Sequence, residues 1–91
     1  MNVDISITGD QNIDLAIKSM RDALAELQKD KEFSEHIFKG SSLLGVEEIK
    51  VDGRIILRGK IITLPAIRDK VSRQYRYLVL KKFEKNKIAI V

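Results

Sequence analysis

The order in which hydrophobic periodicities succeed one another is what most narrows the folds open to this chain. Val3, Ile5 and Ile7 alternate with polar residues, the pattern of a half-buried strand. Ile13, Ala16, Ile17, Met20, Leu24 and Leu27 then recur at helical spacing. Residues 46–51 and 55–63 flank Asp52-Gly53, a pair that supplies the positive φ angles of a tight hairpin turn. Residues 67–83 return to helical spacing, and residues 88–91 read as a closing strand. The sum is βαββαβ, a split βαβ or ferredoxin-like unit. It predicts an α+β sandwich: an antiparallel four-stranded sheet with two helices on one face, because two apolar stripes must be buried and each helix follows a strand. All 91 residues are expected in one domain, 1–91.

Local signals set the element ends. Asn12 is a good N-cap, since its side chain can accept from an otherwise unpaired amide, and Asp14 then lies at the positive end of the helix dipole. The irregular stretch 29–43, with Gly40, Ser41 and Ser42 as breakers, places the end of the first helix near Lys31 or Phe33 and a surface loop after it. Pro65, the only proline, suits the first turn of the second helix. There Ile67, Val71, Tyr75, Leu78, Val79 and Phe83 form the core stripe; Leu80 falls opposite and Tyr77 between the two sides. Tyr77 and Leu80 are therefore candidates for a subunit contact. The second hairpin strand adds Arg58 and Lys60, which alternate with Ile56 and Ile62 on a face half apolar and half basic, as a partly covered surface would be. Glu47 is positioned to pair across the hairpin with Arg58 if the turn has two residues.

The net charge of +4 conceals a polarity. Residues 1–40 hold eight acids and five bases, residues 41–91 five acids and twelve bases. The excess lies on the second helix and its exit, from Arg68 to Lys87, where a solvated helix face competes with an anionic partner as its explanation. No apolar run approaches the length needed to cross a bilayer, and no signal-peptide pattern follows Met1. The absence of cysteine excludes disulfides, thiol catalysis and thiolate zinc sites.

Catalytic chemistry is not expected. His36 is the only histidine, with no partners at the spacing of a metal set or a Ser-His-Asp arrangement. The five glycines form no phosphate-cradling motif, and Glu47 and Glu48 adjoin on a strand and so point to opposite faces. Neither cofactor nor metal is expected. RNA-recognition modules of this element order stack bases on strand aromatics. Here all five aromatics, Phe33, Phe38, Tyr75, Tyr77 and Phe83, lie on helices or near their ends, so nucleic acid is not an expected partner.

Asp4-Ile5-Ser6-Ile7-Thr8-Gly9-Asp10, continued by Gln11-Asn12-Ile13-Asp14-Leu15-Ala16-Ile17, resembles the strand, acidic turn and helix start of the C-terminal cytoplasmic domain of small-conductance mechanosensitive channels. Asp30-Lys31-Glu32-Phe33 and Leu43-Leu44-Gly45-Val46 are similar to that domain's helix exit and following strand, and Gly53-Arg54-Ile55-Ile56-Leu57-Arg58-Gly59-Lys60-Ile61 to its central strand. Lys81-Lys82-Phe83-Glu84-Lys85-Asn86-Lys87-Ile88-Ala89-Ile90 is similar to its closing helix and strand. The likeness spans nearly the whole chain in order. Two departures stand out: Lys87 occupies the place of a glycine common before the last strand, and the sequence ends at Val91 where family members continue with Pro-Phe-Pro.

The resemblance implies a vestibule domain on the cytoplasmic side of the cell inner membrane, taken from a larger protein whose membrane helices precede it. There seven identical copies ring the axis below a pore that releases ions and small solutes on hypo-osmotic shock. The implied role is structural, with self-assembly as the partner relation; ring contacts join unlike surfaces, which the acidic and basic halves can supply. Two other classes remain open: a free-standing ligand- or nucleic-acid-binding module, and a small acylphosphatase-like hydrolase on the same fold.

Overall fold

The computed structural model describes residues 1–91. Five principal elements follow one another: β1 (Asn2–Thr8), α1 (Ile13–Lys29), β2 (Ser42–Ile49), β3 (Arg54–Lys60) and α2 (Arg68–Lys85), with single 3-10 turns at Ser34–His36 and Pro65–Ile67. β3 is the middle strand, antiparallel to both neighbours, in the order β1-β3-β2.

Register sorts the side chains. Val3 pairs with Gly59, Ile5 with Leu57 and Ile7 with Ile55. These residues share the face against which the helices pack, because directly opposed residues project to the same side. Val3, Ile5, Ile7 and Leu57 join Ala16, Met20, Leu24 and Leu27 of α1 and Val71, Tyr75, Val79 and Phe83 of α2 in one core. The alternate residues Asp4, Arg58 and Lys60 project from the other face.

The caps follow local chemistry. Asn12 Oδ1 accepts from the Leu15 amide at 3.0 Å, starting α1. The helix stops at Lys29, earlier than the sequence suggests, because Asp30 takes an extended conformation and its carboxylate accepts from the Glu32 amide at 2.9 Å. Phe33 then turns inward and is 3% exposed, so the segment expected to fray contributes to the core. Pro65 stands at the start of the turn leading into α2.

The hairpin turn is longer than two residues. The Gly53 amide donates to the Lys50 carbonyl at 3.0 Å and the Lys50 amide to the Arg54 carbonyl at 2.7 Å, enclosing Val51, Asp52 and Gly53. Gly53 alone carries the positive φ, +93°, as in a three-residue loop that ends in a left-handed glycine. β2 begins at Ser42, inside the expected loop, and pairs through two irregularities, between Leu43 and Gly45 and between Val46 and Glu48.

The sheet has three strands where the sequence suggests four. Residues 88–91 supply a single antiparallel bridge, Ile7 to Ile90, with the Val91 amide on the Ser6 carbonyl at 2.9 Å. The cause lies in the exit from α2. The Lys87 amide donates to Glu84 and the Ile88 amide to Phe83, a Schellman closure that draws Ile88 into the core. The Ala89 amide donates to Gln11 Oε1, and Arg76 Nη1 occupies the next β1 carbonyl, Asp4, at 3.2 Å. Too little of the segment is left to form a ladder.

Candidate functional site

The four residues singled out as candidate contacts divide between two layers. Arg58 and Lys60 lie on the outer face of the sheet; Tyr77 and Leu80 lie on the solvent side of α2. The structure does not bring the pairs together.

Arg58 is engaged within the domain. Its Nε donates to Asp4 Oδ1 at 2.7 Å and its Nη2 to Asp4 Oδ2 at 3.0 Å, a bidentate pair across β1 and β3. Its Nη1 lies 2.9 Å from Glu47 Oε1 on β2. One guanidinium thus clamps all three strands. The contact to Glu47 arises at the second β2 irregularity and not from a two-residue turn. The hydrogen bond from Arg58, aided by the charges of Arg58 and Arg76, holds the Asp4 carboxyl below its usual range. Asp4 in turn raises the affinity of Arg58 for its proton. Lys60, opposite Asn2 and Ser42, is exposed and makes no ion pair.

On α2, Lys70 pairs with Glu32 at 2.5 Å and Lys82 with Glu26 at 2.9 Å. Arg68, Arg73, Lys81 and Lys85 pair with no acid, nor does Lys87 just beyond the helix. Tyr77, 54% exposed, borders a shallow groove of about 570 Å³ that Lys81, Lys82 and Lys85 share with Glu26 and Glu84. Leu80, 50% exposed, lies one turn beyond Arg76, whose guanidinium reaches the Asp4 carbonyl of β1.

A third surface was hidden from sequence patterning. Leu44, Val46, Ile49 and Val51 are all exposed on β2 and its hairpin, Ile49 by 72%. Val46 and Ile49 pair with Leu57 and Ile55, so alternation assigns them to the core side. They are bare because β2 is an edge strand and its hairpin end extends past the cover of the helices. Gly45, at a φ of +100°, and the adjacent acids Glu47-Glu48, which interrupt the alternation, are the local signs of irregularity there.

His36 ends the first 3-10 turn. No three His, Cys, Asp or Glu side chains converge as metal ligands, and no helix is long and apolar enough to cross a membrane. Comparison with known proteins finds no matching family model and no matching curated protein.

Proposed function

We propose that this domain is one sector of the cytoplasmic vestibule of a mechanosensitive channel of the small-conductance type, with a ferredoxin-like topology and a role in assembly. The observation that carries the reading is the backbone of Lys87. Its φ is +58°, the only positive value at a non-glycine residue, and it falls where members of the family commonly carry glycine. Such a residue closes a helix by turning the chain back, a task glycine performs without a Cβ clash. A substitution of glycine by lysine that keeps the turn accounts for the departure from the family pattern. The bridge of Ile90 to Ile7 adds support, since it sets the closing segment beside β1, on the side away from β3. That lateral order is the one a ferredoxin-like unit requires.

In this reading the sheet and helices form a rigid wall segment, and self-association around an axis builds the cage. The membrane-spanning part lies outside these residues. Unpaired cations on α2 would concentrate anions near the wall only within about 8 to 10 Å at physiological salt. The test uses the complete gene product. Its reading frame should encode several apolar spans, and the protein purified from membranes should form a ring, sevenfold by resemblance, that restores survival of hypo-osmotic shock to a channel-deficient host. A reading frame with no membrane span sinks the proposal.

The groove bordered by Tyr77, Lys81 and Lys85 favours one other reading, a free-standing module for an anionic ligand or nucleic acid. Binding of single-stranded RNA that weakens steeply with salt would select it.

A further inference from the structure

The exposed apolar residues fall largely into two groups at opposite ends of the sheet. Leu44, Val46 and Ile49 lie on the β2 edge; Ile90 and Val91 lie beyond the β1 edge, where Arg76 and Val91 hold the Asp4 and Ser6 carbonyls, and Leu80 follows Arg76 by one turn on α2. With the order β1-β3-β2 and Ile90 outside β1, the groups stand roughly 14 Å apart, three strand spacings of about 4.8 Å. Within one molecule they cannot cover each other. We infer that they cover each other between copies: the β2 edge of one subunit docks head to tail on the α2 and Ile90 side of the next.

Charge selects this arrangement over a symmetric one. Glu47 and Glu48 punctuate the β2 strip and remain about half exposed, 43% and 54%, despite their contacts with Arg58 and Lys50. Pairing β2 with β2 would set these acids against themselves, and the two irregularities would break a continuous ladder between the strands. On the opposite edge the exposed Arg73 and Arg76 flank the approach to Leu80. Docking there sets acid against base and apolar against apolar. A contact between two different surfaces of the same chain propagates into a ring or a filament. The inference rests on the proposed vestibule assembly and supplies its surfaces.

A complementation experiment tests it with the 91-residue chain. Sedimentation velocity up to about 1 mM, the effective concentration a short tether supplies, should show the parent chain associating. Ile49→Glu and Leu80→Glu should each abolish association, because each removes one of the two surfaces. Mixed in equal amounts, the variants should form a one-to-one complex and nothing larger, since each retains the surface the other lacks. A parent chain monomeric throughout, a single variant that still associates, or a mixture that stays monomeric overturns the inference. Circular dichroism checks that the variants fold, and Val46→Glu with Ile90→Glu replaces the pair if either does not. Failure here is separable from failure of the channel reading: membrane spans in the gene without complementation reject only this interface, and complementation without spans rejects only the channel.

Discussion

The Tyr75 hydroxyl of α2 donates to the Met20 carbonyl of α1 at 3.1 Å, and the same phenol lies over Gly59 in the middle strand. A Cβ built on Gly59 would meet the hydroxyl oxygen at 3.2 Å and the ring carbons at 3.6 Å. The ring is fully buried and its oxygen is held, so it has little freedom to yield. Helix-to-helix and helix-to-sheet packing therefore meet at one side chain.

Gly59→Ala should destabilise the domain by about 1 to 3 kcal/mol through overpacking. Tyr75→Phe should cost about 1 kcal/mol for the lost hydrogen bond. The informative quantity is the double variant. Removing the hydroxyl leaves only the ordinary 3.6 Å contacts, so the two costs should fall short of additivity by more than about 0.5 kcal/mol. Urea unfolding of the four proteins measures this, and simple additivity would disprove the contact.

Tyr75 also predicts a dependence on alkaline pH. Burial raises the pKa of its phenol far above the usual value of about 10. Above that pH the unfolded chain loses the proton while the folded chain keeps it. The native state then binds more protons, so stability must fall as pH rises. The contribution is intact below pH 10 and declines above it by about 1.4 kcal/mol per unit until the folded-state pKa is reached. Between pH 10 and 11, Tyr75→Phe should lose stability less steeply than the parent. Equal slopes would show that the phenol ionises freely in the folded state.

Much of this architecture could be read from the sequence because it is carried by periodicity. The β1 alternation and the two helical stripes match the buried residues Val3, Ile5, Ile7, Met20, Leu24, Val71, Tyr75 and Phe83. What could not be read is set by tertiary competition. Ser42 looks like a loop residue but pairs with Lys60 as β2 begins. Ile88 looks like a strand residue but serves the closure of α2, which reduces the fourth strand to a bridge. Among the candidate contacts, the exposure of Tyr77 and Leu80 follows from their angles on the helix. That of Val46 and Ile49 does not, because it depends on how far the helices reach across the edge strand.

The left-handed Lys87 is a removable strain. A residue with a Cβ in that region is disfavoured by about 1 to 2 kcal/mol, and part of this is offset in a glycine variant by the greater freedom of the unfolded chain. Lys87→Gly should therefore stabilise the domain by about 1 kcal/mol, while Lys87→Ala keeps the unfavourable φ and should give no such gain. Thermal unfolding of the pair separates a backbone effect from loss of the lysine charge. An equal gain in both would assign it to charge.

Asp4 and Arg58 supply the corresponding test at acid pH. The arginine holds the Asp4 carboxyl below its unfolded-state pKa, so the unfolded chain takes up a proton first as pH falls. The stabilisation from Asp4 is then present above about pH 4 and is lost through the lowered folded-state pKa. Its size is limited, because the Asp4 side chain is 41% exposed and solvent screens the pair. Asp4→Asn should cost less than about 1 kcal/mol at pH 7. It should also flatten the fall in stability between pH 5 and 2. Glu47→Gln should leave most of that pH dependence in place, since Asp4 makes two of the hydrogen bonds to Arg58 and stays ionised without Glu47. If Asp4→Asn instead leaves the acid limb unchanged while Glu47→Gln removes it, the strand clamp is centred on β2 rather than β1.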